Sequence, residues 1–210
     1  MKRIAVLASG GGSNLQALID AQERGFFDGK IELVFSNRAD AQALQRATRH
    51  GIETLCLESR GYAGPREKYD AELLAALVAK KIDLVCLAGY MRIFTPLLVR
   101  AFRDRMMNVH PALLPKFGGV GFYGHHVHEA VLRSGEKESG ATVHFVDEGT
   151  DTGPILLQGR VPVLPGDTPE TLAARVLPVE HALYPEAVRL FCLDAIQRID
   201  GKVVLRRVEG

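Results

Sequence analysis

Asn108 and His110 stand two residues apart in MMNVHPALLP, residues 106–115. In an extended strand alternate side chains face one way, so the amide and the imidazole project together from its end. Pro111 biases His110 away from helical backbone, and Pro115 stops any helix starting at Ala112. A neutral hydrogen-bond donor beside a titratable one, both on constrained backbone, suits the stabilisation of a developing oxyanion. The same residues also read as a buried histidine closing a strand end, and this stretch alone does not choose between the two. A tight turn is expected at Leu114-Pro115, and since a cis isomer is tolerated there, cis and trans both stay open for that bond.

A second candidate is Ser9-Gly10-Gly11-Gly12-Ser13-Asn14, set between an apolar run and the helical pattern of Leu15, Leu18 and Ile19. A glycine turn from strand to helix leaves backbone N–H groups at the positive end of the helix dipole, with room for an anion. Ser13 or Asn14 can cap the helix or bind the anion directly. No lysine follows the glycines, as a Walker-type loop would need. The third glycine of G-x-G-x-x-G is replaced by Leu15, and the second strand ends in Ser36-Asn37-Arg38 rather than in an acid. A single phosphate therefore fits better than a dinucleotide, with a plain tight turn as the alternative. His125, His126 and His128 have metal-like spacing, but no clustered Cys, Asp or Glu completes a shell, so no metal is expected. Asp147, Glu148 and Asp151 crowd one turn, 147–154.

Elements of alternating type must position these residues. Apolar runs at 3–8, 30–37, 52–57 and 82–88 read as buried strands. Helices are expected from Asp40, carrying Ala43, Leu44 and Ala47 and stopped at His50-Gly51, and from Arg66, with Tyr69, Leu73, Leu74, Leu77 and Val78 on one face. Thr95 is expected to cap a short helix through Arg103 that leads into a fifth strand at 106–109. Alternation of this kind implies parallel β-α-β units and an α/β fold: an open, mostly parallel twisted sheet with helices on both faces. Ligands bind beyond the carboxyl ends of such strands, where the glycine loop, the 89–93 segment and the Asn108–His110 turn all fall. The glycine-rich stretch 117–124 reads as a flexible loop, either a mobile lid or a run of plain turns. His125, His126 and His128 fall near the start of a helix that runs to Ser134-Gly135. Strands at 141–146 and 155–163 form an antiparallel extension. A helical region capped by Thr168 runs to about Arg198 with interruptions at Pro178 and Pro185, before a closing strand at 203–208.

The bulk figures narrow the function class. A chain of 210 residues is expected to form one domain. Its net charge of +1 gives no nucleic-acid or membrane footprint, so an anionic substrate must be held by local geometry. Cys56, Cys86 and Cys192 are odd in number and widely spaced, which suits small buried apolar residues in a reducing compartment. No run approaches the ~18 apolar residues of a membrane span, and no cleavage site follows Met1-Lys2-Arg3. A cytoplasmic protein is expected.

The motifs SGGGSNLQ (9–16), FSN (35–37), LAGYMRI (87–93), NVHPALLP (108–115) and GATVHFVDEGTDTGPILLQ (140–158) together resemble phosphoribosylglycinamide formyltransferases, folate-dependent enzymes of purine synthesis. The resemblance runs from the first strand to Tyr184-Pro185, and EHALYP (180–185) with the glycine loop narrows it to the purine enzyme. It implies a nucleotide-binding-like half over about 1–100, and a catalytic, folate-cleft half over about 101–210. It implies glycinamide ribonucleotide and 10-formyltetrahydrofolate as small-molecule substrates, the latter as co-substrate, without metal, in a monomer or homodimer. By the same resemblance Gly11, Gly12, Ser13 and Asn14 hold the substrate phosphate and Glu180 lies near the glycinamide. Arg66, Met91, Arg92, Ile93, Phe94 and Asn108 line the folate site, and Asn108, His110 and Asp151 are the catalytic trio. The segment 118–127 is longer than in many members, Thr150 replaces an aliphatic residue, and Leu177 stands where some place a lysine.

Direct formyl transfer needs an attacking neutral amine, a stabilised tetrahedral oxyanion and relay of the amine proton. Asn108 donates without changing charge. A protonated His110 would donate more strongly, and the Asp151 carboxylate is expected to raise its pKa. Methionyl-tRNA formyltransferases share the trio but need a tRNA-binding domain and a basic surface. Formyltetrahydrofolate deformylases usually carry an amino-terminal regulatory domain, whereas the first strand here begins at Arg3. A phosphate-binding module without catalysis is the alternative from another class.

Overall fold

The computed structural model describes residues 1–206 of the chain. Two compact units are distinguished, the first Met1–Asn108 and the second from Val109 onward. The first holds β1 (Lys2–Leu7), α1 (Ser13–Glu23), β2 (Gly29–Ser36), α2 (Gln42–Arg49), β3 (Thr54–Cys56), α3 (Arg66–Ala79), β4 (Leu84–Leu87) and α4 (Pro96–Ala101). β5 (Met106–His110) begins in it. The second holds α5 (His125–Ser134), β6 (Glu138–Phe145), β7 (Ile155–Pro162), α6 (Pro169–Cys192), β8 (Ile196–Ile199) and β9 (Lys202–Leu205). The main sheet has seven strands in the order β3-β2-β1-β4-β5-β6-β7.

In the first unit every pairing is parallel: β1 with β2 and β4, β2 with β3, and β4 with β5. Helices cover both faces of such strands, which explains why Ile4 to Leu7 and all of β4 are buried. The chain winds outward from β1 to β3, then crosses back to β4 beside β1. That reversal is a topological switch point, and the loops after β1 and β4 meet there. The Ser9 N–H donates to the Gly89 carbonyl at 3.1 Å. In the second unit β6 and β7 run antiparallel. Val131 of α5, Ala141 and Val161 of the strands, and Leu172 and Val176 of α6 form a core cluster there. Each such branched side chain contributes roughly 1.5–3 kcal/mol by leaving water.

Several expectations need correction. Val78 is 61% exposed, so the buried stripe of α3 is Tyr69, Leu73 and Leu77. Cys56 is exposed on the short edge strand β3, while Cys86 and Cys192 are buried as expected. Neither Ser13 nor Asn14 caps α1: Gly12 is its N-cap, in left-handed backbone. Thr95 is the N-cap of α4 by position, yet its side chain makes no capping bond, and the helix stops at Ala101. Pro178 and Pro185 do not interrupt α6. Proline removes one backbone bond and tends to kink a helix, but the buried stripe through Val176, Glu180, Tyr184 and Val188 runs on regardless. α6 ends at Cys192, well before Arg198, and residues 196–205 form a hairpin instead, β8 pairing antiparallel with β9. Its turn is Asp200-Gly201, both with positive φ, a dipeptide that favours two-residue hairpins. Residues 207 and 208 of the expected closing strand lie outside the described residues.

Candidate functional site

In the first unit the glycine loop follows β1 and opens α1. Gly12 has φ +73°, and a Cβ placed there would lie 2.9 Å from the Ala43 Cβ, so both backbone and packing demand glycine. The outer side of the loop is fastened to α2. The Ala43 N–H donates to the Gly10 carbonyl at 3.1 Å. Arg46 Nε donates to the Gly11 carbonyl at 2.7 Å and its Nη1 to Gln16 Oε1 at 3.2 Å. Carbonyls drawn towards α2 turn the attached N–H groups the other way, and the first turn of a helix has no internal partners for its N–H groups. Ser13 is half-buried and Asn14 buried at this junction.

Ser9 Oγ donates to Asn37 Oδ1 at 2.5 Å and accepts from the Met91 N–H at 2.8 Å. It thereby joins the ends of β1 and β2 to the loop after β4. On that loop Met91 and Ile93 are exposed at 58% and 51%, and Arg92 and Phe94 are half-buried. Arg66, at the start of α3, donates from Nη2 to the Ile93 carbonyl at 2.6 Å. Asn108 pairs in register with Leu87 and is half-buried.

In the second unit His110 ends β5, 4% exposed. Its Nε2 lies 2.7 Å from the Phe117 carbonyl, which only accepts, so Nε2 carries a proton. Its Nδ1 lies 3.6 Å from Asp151 Oδ2. The other carboxylate oxygen, Oδ1, is 3.5 Å from Nε2 of His144, whose Nδ1 in turn is 2.9 Å from the Phe145 carbonyl. Asp151 therefore stands between two imidazoles, each tethered by its far nitrogen to a backbone carbonyl. The Gly119 N–H also donates to Asp151 Oδ2, at 3.1 Å. Asp151 itself has φ +56°. Gly118 is needed beside it, since a Cβ there would meet Leu114 Cδ2 at 2.5 Å and Asp151 Cβ at 3.2 Å. The Leu114-Pro115 bond is cis.

Burial pushes the His110 pKa below the ordinary histidine value; the Asp151 charge and the Phe117 carbonyl oppose this, His144 adds to it, and burial prevails. The expectation of a raised pKa is thus corrected: the low-dielectric surroundings penalise the imidazolium more than one carboxylate favours it. Burial would raise Asp151, but the bond from His144, the neighbouring His110 and the Gly119 N–H together hold it below the usual carboxylate value.

The sequence-expected residues thus fall into local groups. Gly11, Gly12, Ser13 and Asn14 share one loop–helix junction; Arg66 and 91–94 share another loop; His110 and Asp151 face each other. Glu180 is buried within α6. Sequence reasoning missed two contributors. His144 is the one ionisable residue between Ser139 and Phe145 of β6 and could have been noticed on that ground. Arg46 looks like any exposed helix cation, and only the folded loop reveals its grip on Gly11.

Residues 2–188 match the family model described as formyl transferase. The chain is 48% identical over 191 residues to the trifunctional purine biosynthetic protein adenosine-3 of Drosophila melanogaster, covering 90% of this chain and 14% of that protein. It therefore spans only a small part of that relative's length. It is 44% identical over 188 residues to the phosphoribosylglycinamide formyltransferase of Escherichia coli (strain K12), covering 90% of this chain and 86% of that one. Its fold is similar to the crystal structure of glycinamide ribonucleotide transformylase 1 from Symbiobacterium toebii. The TM-score is 0.92 at 44% identity, with 99% of this chain and 95% of that one covered.

Proposed function

Since the chain belongs to the formyl transferase family, we propose that it transfers the formyl group of 10-formyltetrahydrofolate to the amine of glycinamide ribonucleotide. The products are formylglycinamide ribonucleotide and tetrahydrofolate, in purine biosynthesis. The observation that carries this reading is the buried His110–Asp151 pair, 3.6 Å apart, with Asn108 two residues earlier on the same strand.

The amine nitrogen attacks the formyl carbon, a C–N bond forms, and the carbonyl electrons move onto oxygen. Asn108 donates its amide N–H to that oxyanion. His110 donates from Nε2, the nitrogen whose proton points at the Phe117 carbonyl in this conformation. The loop carbonyl thus occupies the place an oxyanion would take, and displacement of 117–124 exchanges one acceptor for the other. One such donor is worth roughly 10²–10³ in rate. Asp151, held ionised, is the acceptor for the amine proton, and folate N10 leaves with a proton relayed through the same groups, worth roughly 10²–10⁴.

Gly11, Gly12, Ser13 and Asn14 bind the substrate phosphate through backbone N–H groups, with Glu180 assigned to the glycinamide by resemblance. Arg66, Met91, Arg92, Ile93 and Phe94 bind the folate. The reaction needs no metal in this account. Among the described residues no helix is long and apolar enough to cross a membrane. We assign a cytoplasmic location and the two small-molecule substrates, with a monomer or homodimer as the assembly. The test is release of tetrahydrofolate by the purified chain. Release that depends on glycinamide ribonucleotide supports transfer, whereas equal release without it replaces transfer with hydrolysis.

A further inference from the structure

We propose that Tyr69 and Asp70 are positioning residues that hold the Arg92 guanidinium with its terminal amino groups presented to the folate co-substrate. The inference rests on the assignment of Arg92 to the folate site and adds how that site is built. The opening of α3 grips the loop after β4 at successive points. Arg66 Nη2 donates to the Ile93 carbonyl at 2.6 Å. The Arg92 guanidinium carbon lies 3.9 Å from the centroid of the Tyr69 ring. Asp70 Oδ2 accepts from the Thr95 N–H at 2.6 Å. The Asp70 side chain is 0% exposed, and its other oxygen, Oδ1, lies 3.8 Å from Arg92 Nε.

A buried carboxylate requires a counter-charge, and Arg92 supplies it. Were neutralisation its whole purpose, the guanidinium would close on Asp70 through two parallel hydrogen bonds, the geometry this pair of groups favours. Instead its approach is through Nε, at a distance too long for a hydrogen bond, and the Tyr69 ring covers one face. Among the described residues the terminal amino groups make no hydrogen bond, and the side chain remains 17% exposed. Tyr69 is itself braced: its hydroxyl donates to the Leu57 carbonyl and Tyr62 meets its ring edge-on at 5.1 Å. A charge wedged between a fixed ring and a fixed carboxylate has lost its freedom before any ligand arrives, which is how preorganisation strengthens binding.

The experiment is a double-mutant cycle of Asp70→Asn and Arg92→Ala, reading KM for each substrate and kcat. Asp70→Asn should raise KM for 10-formyltetrahydrofolate roughly tenfold, as expected when a charge-assisted contact is misaligned. KM for glycinamide ribonucleotide and kcat should stay within about twofold. In the Arg92→Ala background Asp70→Asn should add nothing, because contacting residues that act through one another are non-additive. Additive losses, or an unchanged folate KM in Asp70→Asn, would overturn the clamp. An unchanged folate KM in Arg92→Ala overturns the folate assignment of Arg92 itself, and the clamp with it. If Asp70→Asn does not fold, Tyr69→Leu removes the other wall and should raise the same KM, while Tyr69→Phe keeps the ring, loses only the brace to Leu57, and should raise that KM less than Tyr69→Leu does. The reverse pattern refutes the proposal.

Discussion

Replacing Asp151 by asparagine keeps the shape of the side chain and removes its charge. The positive φ of Asp151, +56°, is one that asparagine also tolerates, so the turn should persist. At the 3.6 Å between Asp151 Oδ2 and His110 Nδ1, the carboxylate would stabilise, by roughly 4–5 kcal/mol at an effective dielectric of about 20, an imidazolium formed transiently as the proton is relayed. Both side chains are largely shielded from solvent, 5% and 12% exposed, so screening takes little of this. The carboxamide dipole recovers a part, and its N–H can donate to His110 Nδ1, which holds the imidazole neutral. Half of the interaction, about 2 kcal/mol, is already a factor of roughly 30. With the lost proton acceptor, kcat should fall by about two to three orders of magnitude. The His110 pKa, already below its ordinary value through burial, should move further down, because the opposing carboxylate is gone. The assay combines pH–rate profiles of both proteins with NMR titration of His110. Turnover within about threefold of the parent and an unchanged titration would reduce Asp151 to a turn residue.

Gly12→Val should raise KM for glycinamide ribonucleotide at least about tenfold while leaving that for folate within about twofold, since a Cβ there collides with Ala43 and the left-handed backbone that presents the loop N–H groups is lost; equal loss of both ligands in a folded variant removes the phosphate assignment. The amides of 117–124 should gain hydrogen-exchange protection when a folate analogue binds, and identical protection with and without it leaves a static surface loop. Burial lowers the His110 and His128 pKa values, so the unfolded chain binds protons that the folded chain refuses. Their stabilising contribution is complete above about pH 6.5 and is lost as pH falls from there towards the depressed folded values. The melting temperature should therefore drop between pH 7.5 and 5.5, less so in His128→Phe; no drop in the parent contradicts the neutral assignment.

The parallel strands were legible because a strand buried on both faces reads as a continuous apolar run, as in RIAVL and LVCL. The groups around Asn108 and the glycine loop were legible because proline restricts the backbone and glycine permits the left-handed turns that other residues avoid. What stayed hidden depends on tertiary context. Whether Pro178 breaks α6 is decided by the packed stripe around it. The position of Val78 outside the core follows from which face of α3 the sheet covers. The grip of Arg46 on Gly11 spans 35 residues of sequence. The protonation of His110 is a balance of burial against charge, and residue spacing carries neither quantity. The hairpin at 196–205 was missed although its turn dipeptide, Asp200-Gly201, signals it.

Direct group transfer is the central claim, and the fate of a labelled formyl carbon tests it. With 10-formyltetrahydrofolate carrying ¹³C in the formyl group and glycinamide ribonucleotide in excess, the label should appear by NMR in the amide of formylglycinamide ribonucleotide. Asp151→Asn should slow its appearance without redirecting it. Label recovered as free formate, or left on the folate while both ligands bind, would contradict the account.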